Sequence, residues 1–492
     1  MPDQAGAVPG EMKAEPPIPA SIRRPLVADG ILSRAQDVLT GGAFLAALAV
    51  AVGAGPLAIA ALAALPFLAQ VAQLPALALL LRIEDRRMAT VLLAGGSRLL
   101  VAALALTLWF APGRLGPGLL LLLLSASALL SIAATAAWNW WMRDLIPSGV
   151  LGRFFAARSS RQAVAGLLLL LAAGVVLDQL TRRGLETQGY ATLFSAGAAC
   201  GLAGLWFLGH TPHVAPPPSP QAAASLRLLG RSFRQRTTRT TLACLGLVAA
   251  AATAALPFAT VFLLRDLHAT YLTVTLLAVL SQVGCIAGLR SWGHIADEHG
   301  DRATLLIALT VLGFCLAGWA LAGGTGAATL AWAAALHFLS GYALGGIDAG
   351  STNLLLRSAP REGAQAHLAA VGLGKAAAAG GATLAAGLLW QALGDGPLVQ
   401  ATAGGAVWLL RPFQLLCALA LVLTLAAIAA TAALPELRRR PVVAVARAMR
   451  RDVRQLSSVA GFRLLLHAVS YSVEFMAAPF ASRDEDKPAQ PP

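Results

Sequence analysis

The sequence predicts an all-α membrane protein whose twelve transmembrane helices form two pseudo-symmetric six-helix bundles. Hydrophobic residues make up 57% of the 492 positions and charged residues only 12%, whereas a soluble domain carries about 25% charged residues. Apolar runs long enough to cross a bilayer as helices, at about 20 residues each, recur along most of the chain. The alternation of period two that marks membrane-spanning strands is absent.

The predicted elements follow one another in a simple order. Residues 1–30 predict a polar, proline-rich cytoplasmic tail, and residues 31–210 predict the first bundle. Its spans are expected at approximately 32–53, 57–81, 89–110, 117–141, 161–179 and 191–209. Residues 211–240, which contain a run of prolines and then several arginines, predict a flexible cytoplasmic linker. The second bundle, 241–434, has its spans at approximately 241–264, 270–290, 303–322, 327–351, 365–391 and 408–433.

The C-terminal segment, residues 435–492, predicts a basic amphipathic helix. Val442, Val445 and Met449 recur at helical spacing, and arginines fill positions between them. Because the segment directly follows a membrane span, we expect it to lie on the anionic lipid of the inner leaflet. A helix that binds a protein partner has the same pattern.

The distribution of arginine predicts the orientation of the chain. The formal net charge is +14, and loops after even-numbered spans carry sixteen arginines against five after odd-numbered spans. Positively charged loops stay in the cytoplasm, so both termini are predicted to be cytoplasmic, in the inner membrane of a bacterium. This basic charge is expected to meet anionic membrane lipids and does not indicate binding to nucleic acid.

A repeat with a spacing of 214 residues relates the two bundles. Asn139-Trp140-Trp141-Met142-Arg143 recurs as Asn353-Leu354-Leu355-Leu356-Arg357, and Ala89-Thr90 recurs as Ala303-Thr304. Two related halves of hydrophobic helices are the usual plan of a secondary transporter.

The segment between spans 8 and 9 resembles a cytoplasmic signature of the major facilitator superfamily. Gly293, Asp297, Gly300 and Arg302 match the family pattern of glycine, aspartate, glycine and a basic residue. The corresponding segment of the first half keeps Asp85 but lacks both glycines. The resemblance covers roughly residues 30–435 and implies a twelve-helix transporter.

The resemblance also implies a latch that closes the cytoplasmic side. Carried over, Asp85 would act with Arg143, and Asp297 with Arg357. The alternative is that these residues are solvated loop charges that only obey the topology rule. The family's drug/proton antiporters carry a Gly-Pro pair in span 5 and an arginine in span 4, and this sequence has neither.

Two charged residues are expected near the middle of the membrane in the second half. Asp348 lies about 13 Å before Arg357 along span 10, and Lys375 lies roughly 15 Å into span 11, at 1.5 Å per residue. Taking spans 10 and 11 as adjacent antiparallel helices, we expect an Asp348–Lys375 ion pair, since a pair costs less than either charge alone. The pair is either broken and reformed during transport or permanently structural.

Two further charges lie within spans of the first half. Asp37 shares a helix face with Thr40 and Phe44, so it is a candidate proton or cation site, or else a residue of the first cytoplasmic turn. Arg98 lies midway along span 3 and requires an unidentified carboxylate or water near it.

These patterns favour a secondary transporter that moves a small solute by alternating access, driven by the solute gradient or by protons. No P-loop, zinc-binding or nucleophile-elbow motif is present, so no enzyme activity, cofactor or metal is expected. The five cysteines lie in apolar spans without metal-ligand spacing. Walls of Ala, Leu and Gly suggest a neutral or weakly charged, amphiphilic solute. The alternative is a non-transporting scaffold or sensor that acts through its basic tail.

Overall fold

The computed structural model describes residues 18–80, 83, 85–212, 229–322, 327–360, 363–403 and 406–434. Span 1 is Ala20–Thr40 with Gly42–Ala51, span 2 Pro56–Leu68 with Gln73–Leu80, span 3 Arg86–Phe110, span 4 Pro117–Leu145, span 5 Ser148–Arg182 and span 6 Glu186–Gly209. Span 7 is Arg236–Thr253 with Ala259–Arg265, span 8 Tyr271–His299, span 9 Asp301–Ala320, span 10 Ala327–Ser358, span 11 Ala364–Leu393 and span 12 Pro412–Ala432.

The predicted twelve-helix architecture is confirmed. Within the described residues, eleven helical segments are long and apolar enough to cross a membrane, and the broken helix of span 1 completes the set. A short hairpin, β1 Val399–Ala403 paired with β2 Ala406–Leu410, precedes span 12. This hairpin moves the start of span 12 from the expected residue 408 to Pro412. The predicted C-terminal helix, 435–492, and most of the linker lie outside the described residues.

Local chemistry explains where several spans begin and end. Prolines occupy the first turn of spans 2, 4 and 12, where the missing N–H needs no partner. The Asp85 carboxylate caps span 3 by accepting a hydrogen bond from the Met88 N–H at 2.8 Å. Gly300 has φ of +87°, which glycine adopts readily, and it separates spans 8 and 9 by a single residue.

Spans 1 and 7 are broken at equivalent places. Span 1 breaks at Gly41 and Gly42, where Gly42 has φ of +53°. Span 7 breaks after Thr253 and resumes through a 3₁₀ turn at Leu256–Phe258. Ala255, in this second break, lies 214 residues after Gly41, which is the spacing of the sequence repeat. The repeat therefore extends to the backbone geometry of the two halves.

Span 1 begins earlier than the sequence suggested. The first helix starts at Ala20, although residues up to 30 were expected to form a polar tail. Leu26 is fully buried against Trp141 and Met142 of span 4. Charged residues made this segment look soluble, but the structure buries the Asp29 carboxylate with partners inside the bundle.

The two halves meet at one end of the molecule. Span 2 packs on span 11, span 5 on span 8, and the second part of span 1 on the second part of span 7. A Cβ at Gly387 of span 11 would lie 2.1 Å from the Ala60 Cβ of span 2. Arg265 donates to the Ala54 carbonyl at 2.9 Å. These contacts lie at the ends away from the arginine-rich loops, called the outer ends below.

Candidate functional site

A polar cavity of about 270 Å³ lies inside the first half, between spans 1, 3, 4, 5 and 6. Its volume corresponds to about nine water molecules at roughly 30 Å³ each, the size of a small metabolite. The sequence analysis expected apolar walls, but most of the lining side chains are polar: Asp29, Ser33, Gln36, Asp37, Thr90, Ser97, Arg98, Ser131, Thr135, Trp138 and Arg158.

Asp29 is the centre of a buried ion-pair network at this cavity. Arg98 Nη2 lies 3.2 Å from Asp29 Oδ1 and donates to Ser33 Oγ at 2.8 Å. Arg158 Nη2 lies 3.4 Å from Asp29 Oδ2, and Arg158 Nε donates to the Leu26 carbonyl at 3.0 Å. Asp29 is 4% exposed and Arg98 8%. Each charge is desolvated, so each depends on its partners to remain in the bundle.

The network identifies the carboxylate that Arg98 required. Asp29 was expected to lie in the N-terminal tail, so it was not considered as the partner of Arg98. A signal was present, because Asp29, Ser33, Gln36 and Asp37 recur at the spacing of one helix face. A polar stripe of this kind on an otherwise apolar span predicts a polar interior next to it.

Three polar atoms at the cavity wall are buried without a hydrogen-bond partner in the described residues. They are Arg98 Nη1, Gln36 Oε1 and Trp138 Nε1. Buried polar groups in native proteins nearly always have a partner. Arg98 Nη1 and Gln36 Oε1 lie against the glycines of span 6, so the network beside the cavity contains polar atoms that the described residues leave unpaired.

Glycines on span 6 allow this network to approach that helix. A Cβ at Gly201 would lie 1.6 Å from Gln36 Oε1, and a Cβ at Gly204 would lie 3.2 Å from Asp29 Oδ1. A larger residue at Gly201 would require Gln36 to move. The small residues thus let span 6 pack closely against Gln36 and Asp29.

Asp37 lines the same cavity, and its side chain is accessible. It lies 17 residues after Ala20, hence about 26 Å along the helix. This position excludes the alternative that Asp37 belongs to the first cytoplasmic turn. The break at Gly41 and Gly42 follows within one turn.

The expected Asp348–Lys375 ion pair is not formed in this state. Among the described residues, neither side chain has an ion pair, and spans 10 and 11 hardly touch although they are consecutive. Span 10 packs on spans 8 and 9, and this packing brings the Asp348 carboxylate near the Cys285 thiol of span 8. Span 11 packs on spans 7 and 2. The pair was expected because sequence neighbours were taken as neighbours in space.

The first-half latch is also different from the expected one. Arg86 forms an ion pair with Asp144, and both side chains are mostly buried. Asp85 caps its own helix, and Arg143 is exposed. The Arg86–Asp144 ion pair joins the start of span 3 to the end of span 4. The expected Asp85–Arg143 partnership is off by one residue on each helix.

The second half contains an equivalent ion pair with the charges exchanged. Arg357 Nε lies 3.1 Å from Asp301 Oδ2, which joins the end of span 10 to the start of span 9. Asp297, the expected partner of Arg357, is exposed at the end of span 8. Both ion pairs lie within one half, so in this state they brace each half and do not connect the two.

The glycines of the signature differ in what they do. Gly300 forms the turn between spans 8 and 9, as expected of a turn glycine. Gly293 lies inside the helix of span 8, and a Cβ there would meet nothing within 4 Å. Gly293 is therefore not required by a close approach to a neighbouring helix. Arg302 donates to the Ala432 carbonyl at the end of span 12.

Comparison with known proteins rests on structure alone, because no family model and no curated protein sequence matches the chain. A variant of the nucleoside transporter NupG aligns with a TM-score of 0.63 at 13% identity, over 84% of this chain and 99% of that chain. An inward-facing bacterial homologue of the iron transporter ferroportin gives 0.60 at 15%, over 83% and 97%. An inward-facing, unoccupied bacterial homologue of the human lysosomal transporter Spinster gives 0.57 at 16%, over 77% and 84%.

These neighbours are transporters, and the alignments span both halves of the chain. Identities of this size establish the fold and nothing finer. The spans, the repeat and the structural likeness agree with one another. The chain has the fold of the major facilitator transporters.

Proposed function

We propose that this protein is a secondary transporter that moves a small polar solute by alternating access, and that the cavity of the first half binds the solute. The observation that carries the proposal is the polar lining of this cavity inside an otherwise apolar bundle, with the accessible side chains of Asp37, Ser131 and Thr135 at its wall. The transporter fold supports it.

The cavity restricts the chemistry of the solute. The Asp37 carboxylate accepts hydrogen bonds, and the accessible hydroxyl groups of Ser131 and Thr135 can donate or accept them. A solute with carboxylate, carbonyl or hydroxyl oxygens and at least one N–H or O–H satisfies these groups.

The contacts between the halves suggest how access alternates. In this state, the halves meet at their outer ends, and the opposite ends face the predicted cytoplasm. The Arg86–Asp144 and Asp301–Arg357 pairs brace the halves as units. When the inner ends close, the exposed Asp297 would contact the opposite half. The turn at Gly300 and the nearby Arg302 would fix the position of Asp297 for that contact. Gly293, Asp85, Arg143 and Arg357 lie at the same ends and would take part.

Coupling to protons is assigned to the accessible carboxylates. Asp37 lines the cavity beside the break in span 1, so rearrangement of the break would alter its surroundings. Asp348 and Lys375 are charged side chains of the second half at membrane depth, without ion pairs in the described residues. Such charges require water or a solute near them.

A cavity-filling variant tests the binding site. Ala94 lines the cavity, so Ala94→Leu should exclude the solute while keeping every charge. Ala172 is exposed on span 5, which makes Ala172→Leu a matched control. A thermal-shift screen of wild type first identifies polar metabolites that stabilise the protein. We expect Ala94→Leu to lose at least tenfold in affinity and in proteoliposome uptake of such a metabolite, with Ala172→Leu unchanged.

Two outcomes would contradict this proposal. Equal binding by Ala94→Leu and Ala172→Leu would place the solute elsewhere. Binding without any flux in proteoliposomes would instead favour a non-transporting scaffold or sensor.

A separate variant tests proton coupling. Asp37→Asn should abolish uptake driven by a pH gradient but keep solute exchange at equal pH. Uptake that is still driven by a pH gradient in this variant would remove Asp37 from the coupling role.

A further inference from the structure

A second cavity, of about 700 Å³, lies between spans 1 and 5 and is far more apolar than the first. Val27, Ile31, Val164 and Phe207 contribute to its walls, and Leu168, at one end, is 62% exposed. We call this cavity the apolar groove. Exposed leucine on a membrane span is compatible with contact to lipid chains.

Three arginines lie at one end of the apolar groove. Arg23 and Arg24 lie in the first turns of span 1, and Arg161 lies four residues after Ala157, where the apolar stretch of span 5 begins. Arg23 is close enough to Arg161 for their charges to repel each other. The described residues that line the groove include no acidic side chain. This end of the groove is therefore strongly cationic.

The apolar groove is separate from the polar cavity although both use span 1. Arg24, Ala28 and Ile31 recur at the spacing of one helix face, while Asp29 and Ser33 lie on the opposite face. The Asp29 carboxylate is already bound by Arg98 and Arg158. The nearest acidic group of span 1 is thus directed away from the groove.

We propose that the apolar groove binds an anionic membrane phospholipid. The arginines would hold the phosphate at the level of the lipid headgroups, and an acyl chain would fill the space along Val164 and Leu168. From Arg161 to Leu168 the helix rises about 10 Å, which gives the chain a path from the headgroup into the membrane. The basic C-terminal segment of this protein is a poor occupant, because its arginines would repel those of the groove.

Native mass spectrometry of the full chain in detergent tests this site. The probe is palmitoyl-oleoyl phosphatidylglycerol, compared with phosphatidylcholine of the same chains. We expect the protein to retain phosphatidylglycerol at least fivefold more strongly. Replacing Arg23, Arg24 and Arg161 together by Gln should weaken phosphatidylglycerol binding about 100-fold, since each arginine near the membrane surface contributes about fivefold.

A matched control removes the same charge at the start of span 7. Arg234, Arg236 and Arg239 are exposed there and do not line the groove, so their triple Gln variant should bind phosphatidylglycerol within about threefold of wild type. Equal losses in the two triple variants would show unspecific surface attraction and overturn the proposal. Equal retention of phosphatidylcholine by wild type would overturn it as well.

Filling the groove separates lipid from a free anion. Ala28→Trp with Ala165→Trp blocks the apolar walls and keeps all three arginines. We expect at least a tenfold loss of phosphatidylglycerol, and unchanged binding would contradict a role for the acyl chain. Glycerol 3-phosphate at millimolar concentration should not displace the lipid; displacement would show an anion site instead. These tryptophan variants also decide the question if the arginine variant does not fold.

Discussion

In the first half of the molecule, Asp29, Arg98 and Arg158 are bound to one another inside the bundle. In the second half, Asp348 and Lys375 lie on different spans, without ion pairs in the described residues. The halves nevertheless share two features. Spans 1 and 7 are broken at equivalent places, and an ion pair joins span 3 to span 4 in one half and span 9 to span 10 in the other. Duplication therefore preserved the framework, while the charges in the interior diverged.

The difference shows what each half can contribute to transport. A desolvated ion pair is expensive to break, so the first-half network is suited to hold a donor in a fixed position. An accessible charge without an ion pair changes protonation or partner more easily, and this is the role proposed above for Asp37 of the first half and for Asp348 and Lys375 of the second.

The largest expected effect follows from breaking the buried network. Asp29→Asn leaves Arg98 and Arg158 buried without their carboxylate, and the loss of this buried partner should lower the free energy of unfolding by about 3–5 kcal/mol. Asp348→Asn should change it by less than about 0.5 kcal/mol, because Asp348 is exposed and unpaired. Denaturant unfolding in detergent measures both.

The double variant Asp29→Asn with Arg98→Met provides the control. Adding Arg98→Met removes one of the two guanidinium groups that Asp29→Asn leaves uncompensated, so the double variant should recover part of the stability that Asp29→Asn loses. Equal losses in Asp29→Asn and Asp348→Asn would contradict the contrast between the halves.

The next effect concerns the outer contact between the halves. A side chain at Gly387 would overlap Ala60, so Gly387→Leu should disfavour the state closed at the outer ends by about 2 kcal/mol and lower its equilibrium constant against the open state roughly thirtyfold. A Cβ at Gly381, on the same helix, would meet nothing within 4 Å, so Gly381→Leu is the control. Spin-label distances across the outer ends measure the shift, and identical distances in both variants would contradict the proposed contact.

Features that depend on a single helix could be predicted from the sequence, whereas contacts between helices could not. Apolar length and the repeat predicted the twelve spans, since both are properties of single segments. The Asp348–Lys375 and Asp297–Arg357 pairs are not formed in this state, because pairing depends on helix rotation and on which spans pack together. Asp29 was missed because a charged first turn lowers average hydropathy even when its carboxylate is buried.

A smaller effect distinguishes the two helix breaks. Gly42 has φ of +53°, so Gly42→Ala should destabilise the protein by about 1 kcal/mol. Asn tolerates this conformation better, and Gly42→Asn should recover part of the loss. The break in span 7 uses no residue with positive φ and does not depend on glycine. Unfolding in detergent measures the difference; equal stability of wild type and Gly42→Ala would show that the break rearranges freely.

The smallest effect concerns the equivalent ion pairs. Asp144→Asn and Asp301→Asn should each cost about 1 kcal/mol or less. The loss should be larger at Asp144, because both members of its pair are mostly buried, whereas Arg357 is 49% exposed. Added salt should reduce the effect of Asp301→Asn more strongly. A larger loss of stability for Asp301→Asn than for Asp144→Asn in unfolding experiments would show that the two ion pairs do not stabilise their halves in the same way.

Distances between spin labels on the two halves, measured by electron paramagnetic resonance, test alternating access most directly. This measurement does not require the solute to be known. In a background without the native cysteines, one label pair would be placed at Arg183 and Gly396 near the outer ends, and another at Met88 and Thr240 near the inner ends. We predict two populations for each pair in lipid nanodiscs, with the outer distance long when the inner distance is short, and a shift toward that state in Gly387→Leu. A single distance at both ends, unchanged in Gly387→Leu, would contradict transport by alternating access.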